Sequence, residues 1–219
     1  LAMADRLNQL PLGIIGIALG TAILPSLSRF IAKDDAGGAQ RVQSNAIELG
    51  MLLTIPAAAG LFFAAQPITS AIYLGGKFAA DDVAATANTM AMLVVGLPAF
   101  VMVKILTPGF FARRDTRTPV WTAAISLTIN IVLNLILIPQ MGVAGLALAS
   151  GLAAWANCAM LYVLLHRRGH FQIEGDLLFR LVRIVLSAAA MGAAIHFLAP
   201  LGKGWFDGGV LDRVAAISL

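Results

Sequence analysis

The segment Val94–Val120, VVGLPAFVMVKILTPGFFARRDTRTPV, decides how the chain is read. Its first seventeen residues are apolar or small apart from Lys104 and Thr107, and it leaves through Arg113, Arg114 and Arg117. An ammonium held in hydrocarbon costs about 2.5–3.5 kcal/mol even on the lenient insertion scale. A chain that keeps one there needs a polar partner, a wet cavity or a task for it. Pro98 and Pro108 each remove a backbone hydrogen bond, so a bent helix is expected around the lysine.

Outward from this segment, the same pattern recurs. The 219 residues are 59% hydrophobic and 12% charged, and the mean hydropathy is +0.88. Soluble domains carry roughly 25% charge, about twice this load. Arg6 to Arg29, Glu48 to Lys77, Asp82 to Lys104 and Arg183 to Lys203 each enclose about 19–28 residues without a charge. About 20 suffice to cross a bilayer. Arg117 to Arg167 encloses about 49 more, enough for two spans and a tight turn. The expected fold class is therefore all-α, a polytopic transmembrane helical bundle. Spans are placed at about 7–27, 46–65, 83–111, 120–138 and 143–165, with PQMG (139–142) as the hairpin. A connector from 166 leads to a sixth span at about 181–198 and the start of a truncated seventh. Residues 28–49 read as a polar connector, and QPITSAIYLGGKF as a short interfacial helix or a broken extension of the second span. The opening LAMADRLNQL and the final Ser218-Leu219 suggest a fragment cut at both ends.

Cations fix the expected orientation. Arg29, Lys33, Arg41, Arg113, Arg114, Arg117, Arg167, Arg168, Arg180 and Arg183 fall on one side, and only Lys77, Lys203 and Arg213 on the other. By the positive-inside rule the first set is cytoplasmic, placing the loops near 29–45, 112–119 and 166–183 there. The net charge of +4 does not point to nucleic acid, because the cations alternate between loops and form no basic face interleaved with aromatics.

Two faces carry polar groups into the slab. Arg6, Gln9, Gly13, Gly16 and Gly20 recur every three or four residues. They form either a packing seam with Arg6 reaching the headgroups, or a cavity wall offering Arg6 to an anion. Thr122, Ser126, Asn130 and Asn134 recur every four, so that face must look into the protein; interhelical hydrogen bonding is the plainer account of the two amides. Asp34-Asp35 reads as part of a solvated loop and Asp81-Asp82 as a helix cap. No HExxH, CxxC pair, GxSxG or phosphate loop is present, and His166, His170 and His196 lack ligand spacing. The single Cys158 forms no intrachain disulfide. No enzyme, cofactor or metal is expected; buried basic and amide groups among glycine- and proline-broken helices favour moving an anionic solute.

ADRLNQLPLGIIGIALGTAILPSLSR, followed by PITSAIYLGGKF and VKILTPGFFARRDTRTPV, resembles the MurJ (MviN) lipid II flippases, relatives of the MATE exporters. The resemblance implies a two-lobe transporter of fourteen helices. This chain would supply most of the second lobe (1–165) and, within 166–219, part of an extra helix pair. It also implies a bacterial cytoplasmic (inner) membrane location and a cavity for a lipid-linked diphosphate. Asp5 and Arg6 match a pair whose arginine lines that cavity; Lys104 matches a lysine of the tenth helix. With Gln9, Asn130 and Asn134 these are the candidate cavity residues. Arg113, Arg114, Asp115 and Thr116 match a cytoplasmic loop motif assigned to gating or topology, and Arg117 is placed with them. The extra pair would hold the polyprenyl tail. Implied partners are lipid II, membrane lipids and other cell-wall synthesis proteins. The rival readings are an exporter of another polyprenyl-linked oligosaccharide or of small molecules, and a non-transporting scaffold of cell-wall assembly.

Overall fold

A computed structural model describes residues 18–73 and 80–198. Every regular element among them is a helix: α1 (Ala18–Ala32), α2 (Ala36–Phe63), α3 (Ala65–Tyr73), α4 (Ala80–Val94), α5 (Leu97–Phe111), α6 (Arg117–Met141), α7 (Val143–Arg167) and α8 (Gly175–Leu198). Five stretches are long and apolar enough to cross a membrane: 36–63, 83–111, 117–141, 143–167 and 175–195. Large apolar side chains face outward along them, among them Trp121, Leu135 and Phe179, each at least 65% exposed. Helices that are apolar all round are stable when lipid is the solvent. The span at 117–141 shows this most strongly, with 6% of its most apolar window buried.

The core lies where α1, α2, α5 and α7 meet, around Leu27, Ile47, Ile105, Leu106, Phe110 and Leu161. Several boundaries differ from the sequence reading. The stretch 28–49 is a three-residue turn between two helices, so the second span belongs to a helix that starts ten residues earlier than its expected boundary at 46. Asp34 takes a left-handed φ of 56°, and the Asp35 carboxylate accepts from the Gly38 amide at 2.7 Å, capping α2. Polar residues such as Gln40 and Gln43 continue that helix because backbone hydrogen bonds are satisfied by helix geometry whatever the side chain's polarity. The sixth span likewise starts at Gly175, ahead of 181. PQMG is mostly helix; α6 runs through Pro139, and the hairpin reverses at Gly142 alone, with φ 57°. The seventh span lies outside the described residues.

The expected bend near Lys104 is a break at Val95-Gly96, two residues ahead of Pro98, which sits in the first turn of α5; Pro108 stays inside α5. A Cβ on Gly96 would stand 2.5 Å from the Cα of Gly151 on α7, so glycine is needed for close approach. The Val95 carbonyl accepts from Trp155 Nε1 at 3.0 Å. The break is thus held by α7 on both sides.

α2 and α8 run parallel. Gln40 donates to the Gln172 carbonyl, Arg180 pairs with Glu48 at 2.6 Å, and both contacts span 132 residues of sequence. Toward the far end, a Cβ on Gly192 would meet the Phe63 ring.

Candidate membrane cavity and its cationic rim

The side chains singled out on α5 and α6 converge. Lys104, exposed on α5, lines a cavity of about 420 Å³ with Ser126 and Asn130 of α6 and Ser150 and Asn157 of α7. Phe100, Val103 and Leu127 complete its walls. The break at Gly96 sits one to two turns before this wall, and the Gly96–Gly151 contact draws α5 and α7 together beside it.

The amides form a relay that leads away from the cavity: Asn130 lines it, whereas Asn134, expected to do so, lies one helical turn beyond the lining. Asn134 Nδ2 donates to Asn130 Oδ1 at 3.0 Å; Asn130 Nδ2 reaches Ser150 Oγ at 3.4 Å; and Ser150 donates to the Leu146 carbonyl at 3.0 Å. Ser126 donates to the Ala153 carbonyl at 2.7 Å, tying α6 to α7. The Asn134 and Asn157 side-chain oxygens are enclosed with no partner among the described residues. Such acceptors cost about 1–3 kcal/mol each unless something donates to them. Both ion pairs among the described residues lie elsewhere, at Arg168–Asp115 and Arg180–Glu48, so Lys104 has no carboxylate of its own there. The cavity therefore offers one cation and several uncharged donors and acceptors. Ser126, Ser150 and Asn157 were not among the expected cavity residues, although the fourfold spacing from Thr122 already placed Ser126 on the right face. Asp5, Arg6 and Gln9 lie outside the described residues.

Arg113, Arg114 and Asp115 form the turn between α5 and α6, while Arg117 is already the first residue of α6 and not part of a loop. Asp115 accepts from the Thr118 amide and hydroxyl at 3.0 and 2.6 Å and pairs with Arg168 at 2.5 Å. These bonds to Thr118, then to Arg168, hold its carboxyl well below the usual carboxylate range. Arg168 also stands over the Phe110 ring. Arg113 donates to the Gly109 carbonyl at 2.7 Å and to the His170 carbonyl at 3.4 Å. Burial lowers the Arg113 guanidinium, and burial followed by the Arg113 and Arg168 charges lowers His170. The turn is consequently a clasp between the start of α6 and the connector after α7.

Asp115→Ala removes the carboxylate that accepts from Thr118 in the first turn of α6 and pairs with Arg168, and a loss of about 1 kcal/mol is expected, read as a lower thermal midpoint of the purified protein. Because the folded carboxyl titrates below its unfolded value, its stabilisation is complete above about pH 4 and is lost as pH falls further. The wild-type and Asp115→Ala midpoints should therefore converge on acidification; a gap that stays constant down to pH 3 would exclude the clasp.

The family model described as Lipid II flippase MurJ matches residues 1–215. The chain belongs to the MurJ family. It is 40% identical over 196 residues to the probable lipid II flippase MurJ of Rhizobium meliloti (strain 1021), covering 90% of this chain and 37% of that protein. With the lipid II flippase MurJ of Burkholderia cenocepacia it shares 34% identity over 217 residues, or 98% of this chain and 42% of that protein. The chain thus spans about two-fifths of the curated MurJ relatives it matches. A solved MurJ structure in an inward closed conformation superposes with TM-score 0.76 at 24% identity, over 97% of this chain and 44% of that one. An inward-facing multidrug-resistance MATE transporter gives TM-score 0.61 at 21% identity, over 96% and 51%. MurJ and MATE proteins therefore share this helical fold.

Proposed function

We infer that the chain is the second lobe, with part of an extra helix pair, of a flippase moving lipid II from the inner to the outer leaflet of the bacterial cytoplasmic membrane. It binds and transfers its substrate without chemical change, as a transporter and not an enzyme. The observation that carries the reading is the placement of Lys104 in one cavity with Ser126, Asn130, Ser150 and Asn157. A diphosphate needs a cation, and a sugar-peptide headgroup needs uncharged hydrogen-bonding groups; the cavity supplies both. The turns at 33–35, 112–116 and 168–174, with the cations in them and at the helix ends beside them (Arg29, Lys33, Arg41, Arg113, Arg114, Arg117, Arg167, Arg168, Arg180 and Arg183), face the cytoplasm in this reading. The headgroup enters from there while the polyprenyl tail stays in lipid, and the lobes rock to release it outside. Each negative charge moved outward gains about 2.3 kcal/mol per 100 mV of inside-negative potential. By the family resemblance, Arg6 would add a second cation to the cavity, with the Asp5 carboxylate beside it.

A small-cation exporter would need embedded carboxylates, and among the described residues the cavity lining holds none. The full-length protein in proteoliposomes should therefore translocate fluorescent lipid II and leave a cationic dye where it started. Dye movement without lipid II movement would replace the flippase with a drug exporter. If neither moved under an imposed potential while the protein stayed folded, the scaffold reading would gain.

A further inference from the structure

The two helices that bring Lys104 and Asn157 to one cavity run side by side. A Cβ on Gly96 would meet Gly151, and one on Gly109 would meet the Leu165 side chain. The first contact joins residues 55 apart and the second residues 56 apart, so α5 and α7 are parallel and keep one offset along their shared length. Lys104 is therefore level with residues 159–160, and Asn157 lies less than a turn away, roughly 4 Å along the axis. Asn157 stands ten residues before Arg167, and Lys104 nine before Arg113. Both are thus about 14–15 Å from the cation-rich end, near the middle of a hydrocarbon layer about 30 Å thick.

Most polar groups of the cavity are already committed. Ser126 and Ser150 give their hydroxyl hydrogens to carbonyls of α7, and Asn130 is tied to Ser150 and Asn134. Asn157 is different. Its side-chain oxygen is enclosed, so its NH2 is the end left to the cavity it lines, and among the described residues that NH2 has no partner. The Lys104 ammonium has none there either. Two uncommitted donors, one charged and one neutral, therefore share a depth, and no carboxylate among the described residues lines the space between them. Water would satisfy the amide, but an ammonium held this deep gains most from an anion.

We propose that Asn157 is the second ligand of the substrate's diphosphate: Lys104 donates to one of its oxygens from α5, and the Asn157 NH2 donates to a neighbouring oxygen from α7. The assignment names a contact within the flippase reading and rests on it. A diphosphate spans the axial offset, since each oxygen takes its hydrogen bond at about 2.8 Å. Lys104 supplies the charge. Asn157, on a shorter side chain with its oxygen walled in, fixes where the group sits and which way it faces.

The test is native mass spectrometry of the full-length protein titrated separately with undecaprenyl diphosphate, inorganic diphosphate and undecaprenol, the neutral alcohol of the same tail. Asn157→Leu removes the donor and should weaken undecaprenyl diphosphate about tenfold, the scale of one hydrogen bond to a charged group. Asn157→Asp sets a carboxylate beside the anion and should weaken it about 100-fold. Asn157→Gln keeps an amide and should stay within about threefold of wild type. None of the three should change undecaprenol binding, which a merely structural role would disturb. Lys104→Gln combined with Asn157→Leu should lose less than the product of the single effects, because both side chains hold one group. Unchanged diphosphate affinity in Asn157→Leu, or an equal loss of undecaprenol, would overturn the assignment and leave the flippase reading standing. Inorganic diphosphate bound as tightly as the lipid would overturn the lipid-linked substrate named here and give the seat to a free anion. No binding of undecaprenyl diphosphate by the wild type would overturn this seat and the flippase reading together.

Discussion

Lys104→Glu in the full-length protein is expected to cut the initial rate of lipid II translocation at least 100-fold. Lys104→Arg should keep it within about fivefold of wild type. Among the described residues, Lys104 is the only charged side chain lining the cavity on α5–α7, and it shares that lining with uncharged amides and hydroxyls. Truncating one member of a desolvated, hydrogen-bonded charge pair costs about 2–5 kcal/mol. Charge reversal adds repulsion of the diphosphate at the same place, so 100-fold, about 2.7 kcal/mol, is a lower figure. Stability should barely change, because the side chain is exposed and its loss opens no core. Rates from proteoliposomes, beside thermal midpoints of the same preparations, separate the two effects. Wild-type rates in the glutamate variant would remove Lys104 from substrate handling.

Gly96→Val is expected to lower stability by about 3 kcal/mol, or roughly 10 °C in the midpoint of a unit this size. The added Cβ would stand 2.5 Å from the Gly151 Cα and 2.9 Å from the Phe100 ring. Backbone cannot yield as a side-chain end can, so α5 and α7 must separate. Separation also breaks the bond from Trp155 Nε1 to the Val95 carbonyl, worth about 1 kcal/mol. Gly60→Ala is the matched control: its new methyl finds only the Met191 side chain, at an ordinary 3.8 Å. Equal midpoints for the two variants, measured by thermal loss of monodispersity, would mean that the α5–α7 approach is not tight.

The helical class and the rough positions of the spans were legible because hydrocarbon imposes a length: charge-free stretches between Glu48 and Lys77 or Arg117 and Arg167 have few other uses. Helix ends were less legible. Hydropathy marks the part of a helix immersed in lipid, not where its hydrogen bonds stop. For that reason α2 and α8 extend beyond their expected starts through polar residues such as Gln40 and Asp176. The prolines correctly signalled an interrupted helix around Lys104, yet the break falls at Gly96, where α7 comes closest. The fourfold spacing on α6 showed that Ser126, Asn130 and Asn134 share a face. That this face meets Lys104 depends on how α5, α6 and α7 pack, and no periodicity within one helix carries that information. Ser150 and Asn157, seven residues apart, share a face of α7, but their spacing alone gave no sign that this face meets Lys104.

The central claim is that Lys104 and its amide neighbours border a water-filled space that admits the substrate headgroup. It is tested most directly by cysteine accessibility in the full-length protein, with Cys158, itself buried, replaced by alanine. Single cysteines at Lys104, Asn130 and Asn157 are treated with a membrane-impermeant thiol reagent, with and without lipid II. The account predicts labelling at all three positions and protection by lipid II. Labelling only by a lipid-soluble reagent, unchanged by lipid II, would contradict it.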